Sequence, residues 1–109
     1  MVKVIAVISR KPGIEREAFI RHWQEEQPEY VRKLAELRRY VQNPAVKVYE
    51  SWPCDGVAEL SFDLVRDVAI AFEGPDAHRL REHKEQFIGD LKWFLAEEHE
   101  VSVEAGEGR

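Results

Sequence analysis

The first nine residues constrain this chain more than any other stretch. In Val2-Lys3-Val4-Ile5-Ala6-Val7-Ile8-Ser9 the β-branched content, bounded by the turn signal Lys11-Pro12-Gly13, predicts a strand. Side chains alternate across a strand, so Val2, Val4, Ala6 and Ile8 share one face while Ile5 and Val7 share the other. A sheet covered on one side only should alternate apolar with polar, so both faces of this one must be covered. What covers them depends on the elements that follow.

From Ile14 the apolar residues Ile14, Ala18, Phe19 and Trp23 keep helical spacing, and Pro28 disfavours helical geometry at Gln27, so the first helix is expected to break or kink there. Tyr30, Val31, Leu34 and Leu37 form a second helical piece. Arg39-Tyr40-Val41-Gln42 begins strand two, which Asn43-Pro44 interrupts and Val46-Lys47-Val48-Tyr49 resumes. After the loop Ser51–Gly56, Ala58, Leu60, Phe62 and Leu64 alternate with Val57, Glu59, Ser61 and Asp63 as strand three. Val65, Val68, Ala69 and Phe72 return to helical spacing. Gly74-Pro75-Asp76 breaks and restarts that helix, and Ala77, Leu80, Phe87 and Ile88 continue it. Leu91 to Val103 reads as strand four.

The order is β-α-β-β-α-β, an α+β chain of the split βαβ kind. Right-handed crossovers put both helices on one face of a four-stranded antiparallel sheet. Residues 1–103 form one domain and 104–109 a polar tail. The helices cover one face, but Ile5, Val7 and one of the pair Trp93 and Phe94 remain on the other. The economical cover is a second copy, giving a homodimer whose sheets pack face to face into a barrel-like core.

Composition narrows the partners. With 21 acidic against 16 basic residues and a net charge of −5, nucleic acid is not the expected ligand. The N-terminal apolar run is too short to span a membrane and lacks the layout of a signal peptide. A single Cys54 excludes an intrachain disulfide and any cysteine-based metal cluster, fits a reducing cytoplasm, and reads as an inert loop thiol.

On a helical wheel His22 falls between Ala18 and Phe19, on the sheet-packing face, and Glu26 returns to that face one turn later. An imidazole beside a carboxylate suits general acid or base chemistry. A hydrogen-bonded structural histidine fits the same spacing. Two helices interrupted by proline cannot lie flat on the sheet throughout, so a pocket is expected between helices and sheet. Its candidate lining is Phe19, Trp23, Tyr40, Phe62, Phe87 and Trp93, with His22, Tyr40 and His83 as convergent polar groups. Ordinary core packing accounts equally well for any single aromatic among them. Such a pocket suits a small apolar or aromatic ligand, and with no cluster of like charges expected in it, binding should be nearly indifferent to salt.

His78 falls opposite Leu80 and is expected in solvent, while His99 is expected in strand four. No two histidines have the His-x-x-x-His spacing of a helical metal site, so no metal is implied. Neither is a phosphate loop or a nucleophile elbow.

His22-Trp23 followed by Pro28, Tyr40-Val41-Gln42-Asn43, Asp55-Gly56-Val57-Ala58-Glu59-Leu60, Phe72 with Gly74-Pro75, Phe87-Ile88 and Glu97-Glu98-His99 together resemble the EthD family, over nearly the whole chain. The resemblance implies a ferredoxin-like fold assembled as a dimeric α+β barrel. It also implies a superfamily that includes cofactor-free monooxygenases, polyketide cyclases and dehydratases, muconolactone isomerases and haem-degrading enzymes. Its pattern often carries a second histidine where this chain has Gln27, which hydrogen-bonds but does not shuttle protons near neutral pH.

The resemblance implies an enzyme acting on an aromatic or polyketide-like substrate without metal or organic cofactor, by oxidation or by proton transfer such as dehydration. His22 would move the proton and Tyr40 orient the substrate. Phe19, Trp23, Glu26, Gln27, Phe62, His83, Phe87 and Trp93 would bind it. A non-catalytic small-molecule binder or accessory protein of a catabolic pathway is the alternative, and haem ligation by His22 or His83 a third.

Overall fold

The computed structural model describes residues 1–47 and 51–104 of the 109. Strand β1 (Val2–Arg10) leads through the Gly13 turn, where φ is +86°, into helix α1 (Arg16–Arg21). A π-helical segment (His22–Glu26) joins α1 directly to α2 (Gln27–Val31). Strands β2 (Arg39–Pro44) and β3 (Gly56–Phe62) follow, then α3 (Val65–Ala71), α4 (Pro75–Lys84) and β4 (Ile88–Glu97). The sheet order is β2-β3-β1-β4, antiparallel at every junction, as the expected split βαβ arrangement requires.

The register fixes both faces of the sheet. Rows such as Leu95–Val4–Leu60–Tyr40 and Trp93–Ala6–Ala58–Gln42 lie toward the helices. There Val2, Val4, Ala6, Ile8, Leu60 and Phe62 join Phe19, Trp23, Leu80 and Phe87 in one buried core. The opposite rows, Phe94–Ile5–Glu59–Val41 and Lys92–Val7–Val57–Asn43, face away from the helices. Phe94 stands 55 % exposed there, so the second face is apolar at its centre and uncovered within one chain. Lys3 crosses the same face, paired with Glu59 at 2.8 Å and Glu98 at 2.9 Å.

Several boundaries differ from the sequence expectation: α2 ends at Val31, leaving Leu34 and Leu37 in the turns and loop beyond it, and β3 ends at Phe62, before Leu64. The first helix does not break at Pro28; the π-turn before it widens the helix, and proline takes a first-turn position of α2, where its ring fits and the N–H it lacks would have served only a carbonyl of the preceding turn. Pro44 does not interrupt β2 but ends it, opposite Gly56, because β2 is an edge strand and tolerates a residue that cannot donate. Val46 and Lys47 lie outside any strand, and Val48 and Tyr49 lie outside the described residues. Helix α4 stops at Lys84, so Phe87 and Ile88 belong to the turn and to β4, which begins earlier and ends earlier than expected. His99 therefore lies beyond the strand, exposed.

Candidate functional site

A cavity of about 480 Å³ lies between the helices and the inner face of the sheet. Trp23, Gln27 and Val31 line it from the first helix at intervals of four, with Val68 and Phe72 from the α3 region and Leu80 from α4. The sheet contributes Val4, Ala6, Tyr40, Trp93 and Leu95 among others. Trp93 is 59 % exposed although it shares a row with Ala6, because β4 is the other edge strand and the cavity opens beside it.

The straight stripe Phe19, Trp23, Gln27, Val31 is a product of the π-turn. In a regular α-helix each step of four residues drifts by roughly 40°, so three steps would carry the stripe off the sheet. The π-turn underwinds the helix and absorbs that drift. All four residues are consequently buried, Gln27 at 6 % exposure. Gln27 is a polar side chain held against the cavity.

The same turn frees a carbonyl. The Gln27 N–H donates to the His22 carbonyl, five residues back, and Pro28 has no N–H to offer. The Trp23 carbonyl therefore lacks a donor from its own helix, and a buried carbonyl without one is costly. Gln42, on β2, supplies it: its Nε2 donates to the Trp23 oxygen at 2.7 Å and to the Tyr40 Oη at 2.8 Å. Both amide hydrogens are then committed and Tyr40 Oη acts as an acceptor. Among the described residues no acceptor takes the Tyr40 O–H, which is thus available as a donor at the cavity wall. Burial raises the Tyr40 pKa above the ordinary phenol value, against the opposing hydrogen bonds, so the group is a neutral phenol at physiological pH.

Beside the cavity, the residues next to the buried stripe form a second constellation. His22 Nδ1 lies 2.7 Å from Glu26 Oε1, and His83 Nε2 of α4 lies 3.1 Å from the same oxygen. The His22 ring stacks on Phe87 with centroids 5.5 Å apart, and the His83 ring stacks on Tyr30 at 4.6 Å. The hydrogen bonds from His22, and next from His83, hold the Glu26 pKa below the ordinary carboxylate value. Two imidazoles donating to one carboxylate account for this geometry, and each is left with its other nitrogen as the basic one.

The three ligand-type atoms lie within 4.8 Å of one another, a His₂Glu set that spacing along the sequence could not reveal. Metal ligation at His83 Nε2 would place the ring proton on Nδ1, which is buried without a hydrogen-bond partner. His83 normally would need a partner there to orient it as a ligand. The hydrogen-bonded triad is the better account of these residues.

Of the residues singled out from the sequence, Trp23, Gln27, Tyr40 and Trp93 line the cavity. Phe19, Phe62 and Phe87 are fully buried in the core and do not line it. His22, Glu26 and His83 come together, but in the seam between the first helix and α4, because the π-turn gives Trp23 rather than His22 the sheet-facing position. His78 is exposed beside Glu82. Sequence reasoning missed Gln42, whose role depends on a carbonyl freed on another element. It also missed Arg81 and Lys84, which line the cavity from α4. Their presence corrects the expectation of a site without clustered like charge.

The model of the EthD domain matches residues 11–90. No curated protein matches the sequence at a significant level. Among solved structures, an ethyl tert-butyl ether degradation (EthD) family protein from Bacillus halodurans superposes with a TM-score of 0.77 at 22 % identity, over 91 % of this chain and 99 % of that one. A dimeric protein of unknown function with a ferredoxin-like fold from Bacteroides fragilis gives 0.68 at 14 % identity, over 88 % and 94 %. An antibiotic biosynthesis monooxygenase gives 0.61 at 19 % identity, over 92 % and 100 %. At these identities the likeness is one of fold. No helix among the described residues is long and apolar enough to cross a membrane.

Proposed function

The chain belongs to the EthD family, and from that premise we propose that it is a small-molecule enzyme taking an apolar, aromatic or polyketide-like substrate into the cavity between helices and sheet. The observation that carries this reading is the cavity itself, large enough for a small molecule and apolar on nearly every side, with the Tyr40 hydroxyl free to donate. Donated to a carbonyl oxygen, that O–H would stabilise an enolate as negative charge develops on it, a requirement common to dehydration and to oxidation of an activated carbon. Gln27 would orient the same polar group. His22 is the base of this scheme: Glu26 holds its Nδ1–H, which leaves Nε2 to take a proton from a substrate that extends past Gln27 into the helix seam.

The protein is proposed to work as a homodimer, joined through the uncovered sheet face around Phe94 and Ile5. The dimeric state of the Bacteroides fragilis structure supports this, as does the apolar centre of that face.

A non-catalytic binding role is favoured by one specific feature: Gln27 stands in the cavity where a titratable histidine would supply a second proton carrier. Naphthol, a fluorescent aromatic alcohol, separates the elements of this reading. It should bind one site per chain and quench tryptophan emission, and Tyr40→Phe should weaken it several-fold, by about the net worth of one hydrogen bond. Unchanged affinity in Tyr40→Phe would remove Tyr40 from the site. With a turned-over substrate, His22→Gln should abolish turnover while leaving binding intact; retained turnover would exclude His22 as the base.

A further inference from the structure

In a chain with a net charge of −5, no aspartate or glutamate among the described residues lines the cavity. The only charged lining residues among the described ones are Arg81 and Lys84, one turn apart on the same side of α4. Like charges at this spacing repel. Neither forms an ion pair among the described residues, and the one hydrogen bond of Arg81 is a long one, 3.5 Å from Nη1 to the Phe72 carbonyl. Lys84 is half-buried, and burial, reinforced by the positive charge of Arg81 and offset weakly by Glu85, lowers its pKa from the ordinary lysine value. Arg81 is exposed and Lys84 part-buried, so both line the cavity where it meets solvent. Cations near a helix C-terminus complement the helix dipole, which accounts for their place on α4. It does not account for a rim that holds two cations and no acid.

We propose that the occupant of the cavity is an amphipathic acid, with an apolar or aromatic body among Trp23, Leu80 and Trp93 and a carboxylate or similar oxyanion held between Arg81 and Lys84. This rests on the reading of the cavity as the substrate site and names the chemical class that the site selects. The anion relieves the repulsion between the two cations and forms charge-assisted hydrogen bonds at the edge of a low-dielectric space. The body supplies affinity through burial, and the anion supplies orientation, fixing which end of the molecule meets Tyr40 and Gln27.

Naphthoate and naphthamide, matched in shape and differing in charge, test this with the full chain by titration calorimetry. Naphthoate should bind about tenfold more tightly, the worth of a hydrogen bond to a charged group. The preference should shrink at high salt and disappear in the double variant Arg81→Gln/Lys84→Gln, in which the two probes should bind alike. Arg79→Gln, the same change of charge at an exposed position of α4 that does not line the cavity, should keep the preference. Equal binding of the two probes, or a preference that Arg79→Gln reduces as much as the double variant does, overturns the anion site while leaving the cavity reading standing. Failure of both probes to bind overturns the cavity reading and the anion site with it.

Discussion

Gly56→Ala tests the packing on which the cavity depends. Gly56 opens β3 directly beneath the Trp23 indole: a Cβ placed there would lie 2.6 Å from Trp23 Cη2, 2.7 Å from Cζ3 and 3.0 Å from the Asn43 carbonyl oxygen. Carbon atoms in contact normally sit about 3.5–4.0 Å apart, so the ring must retreat by roughly 1 Å. It has little room, being fully buried and tilted against Phe19 with centroids 5.5 Å apart. Overpacking of this kind costs about 1–3 kcal/mol. Replacing a strand glycine by alanine returns about 0.5–1 kcal/mol through the unfolded chain, so at the centre of the two ranges the clash wins by roughly 1 kcal/mol. Guanidinium denaturation should show a lower midpoint with an unchanged slope. In a Trp23→Phe background, which removes the clashing atoms of the indole, the same substitution should cost much less. A midpoint that is unchanged or raised in Gly56→Ala, or an equal loss in both backgrounds, would refute the reasoning.

Phe94→Glu, which places a charge at the centre of the uncovered sheet face, should turn a dimer into a folded monomer by light scattering at micromolar concentration; a dimer that persists means the copies meet elsewhere. Glu26→Gln should lower stability at neutral pH and converge on the parent protein in acid. The folded pKa of Glu26 is depressed below 4.5, so its contribution is present above that value and is lost as pH falls through the lower folded one. Parallel stability curves down through that range would show that the triad does not stabilise the fold. Gln42→Leu should cost about 1–3 kcal/mol in thermal or chemical denaturation, the price of an orphaned Trp23 carbonyl, and should weaken naphthol binding through Tyr40. Wild-type stability in that variant would mean that another donor reaches the carbonyl.

The sheet was legible in the sequence because its signal is local. A period of two assigns Ile5 and Val7 to one face and Val4 and Ala6 to the other whatever the rest of the chain does, and the register confirms that assignment row by row. Trp93 and Phe94 part to opposite faces for the same reason. Helix ends were less legible, since the apolar spacing of Phe87 and Ile88 continues past the point where the chain turns into β4. The meeting of His22 with His83 was not legible at all. It joins side chains 61 positions apart through a third residue, Glu26, and nothing in the spacing of either histidine announces it. Arg81 and Lys84 read in sequence as members of an ordinary charged helix; only the cavity on one side of that helix distinguishes them from Arg79.

Pro28 shows how a local signal can be read correctly and still mislead about the site. Proline at this position does forbid a regular helical hydrogen bond, and a break is the simplest response. The chain instead adds a π-turn, so the missing donor appears not as a gap at Pro28 but as an unpaired carbonyl at Trp23, on the buried side. Gln42 then answers a demand that arises nineteen residues earlier in the sequence, at Trp23, and in doing so commits both of its amide hydrogens. The direction in which Tyr40 can donate follows from that commitment. The donor in the cavity is thus set by a backbone deficiency in the first helix and relayed through β2, which is why neither the helix pattern nor the strand pattern, read separately, points to it.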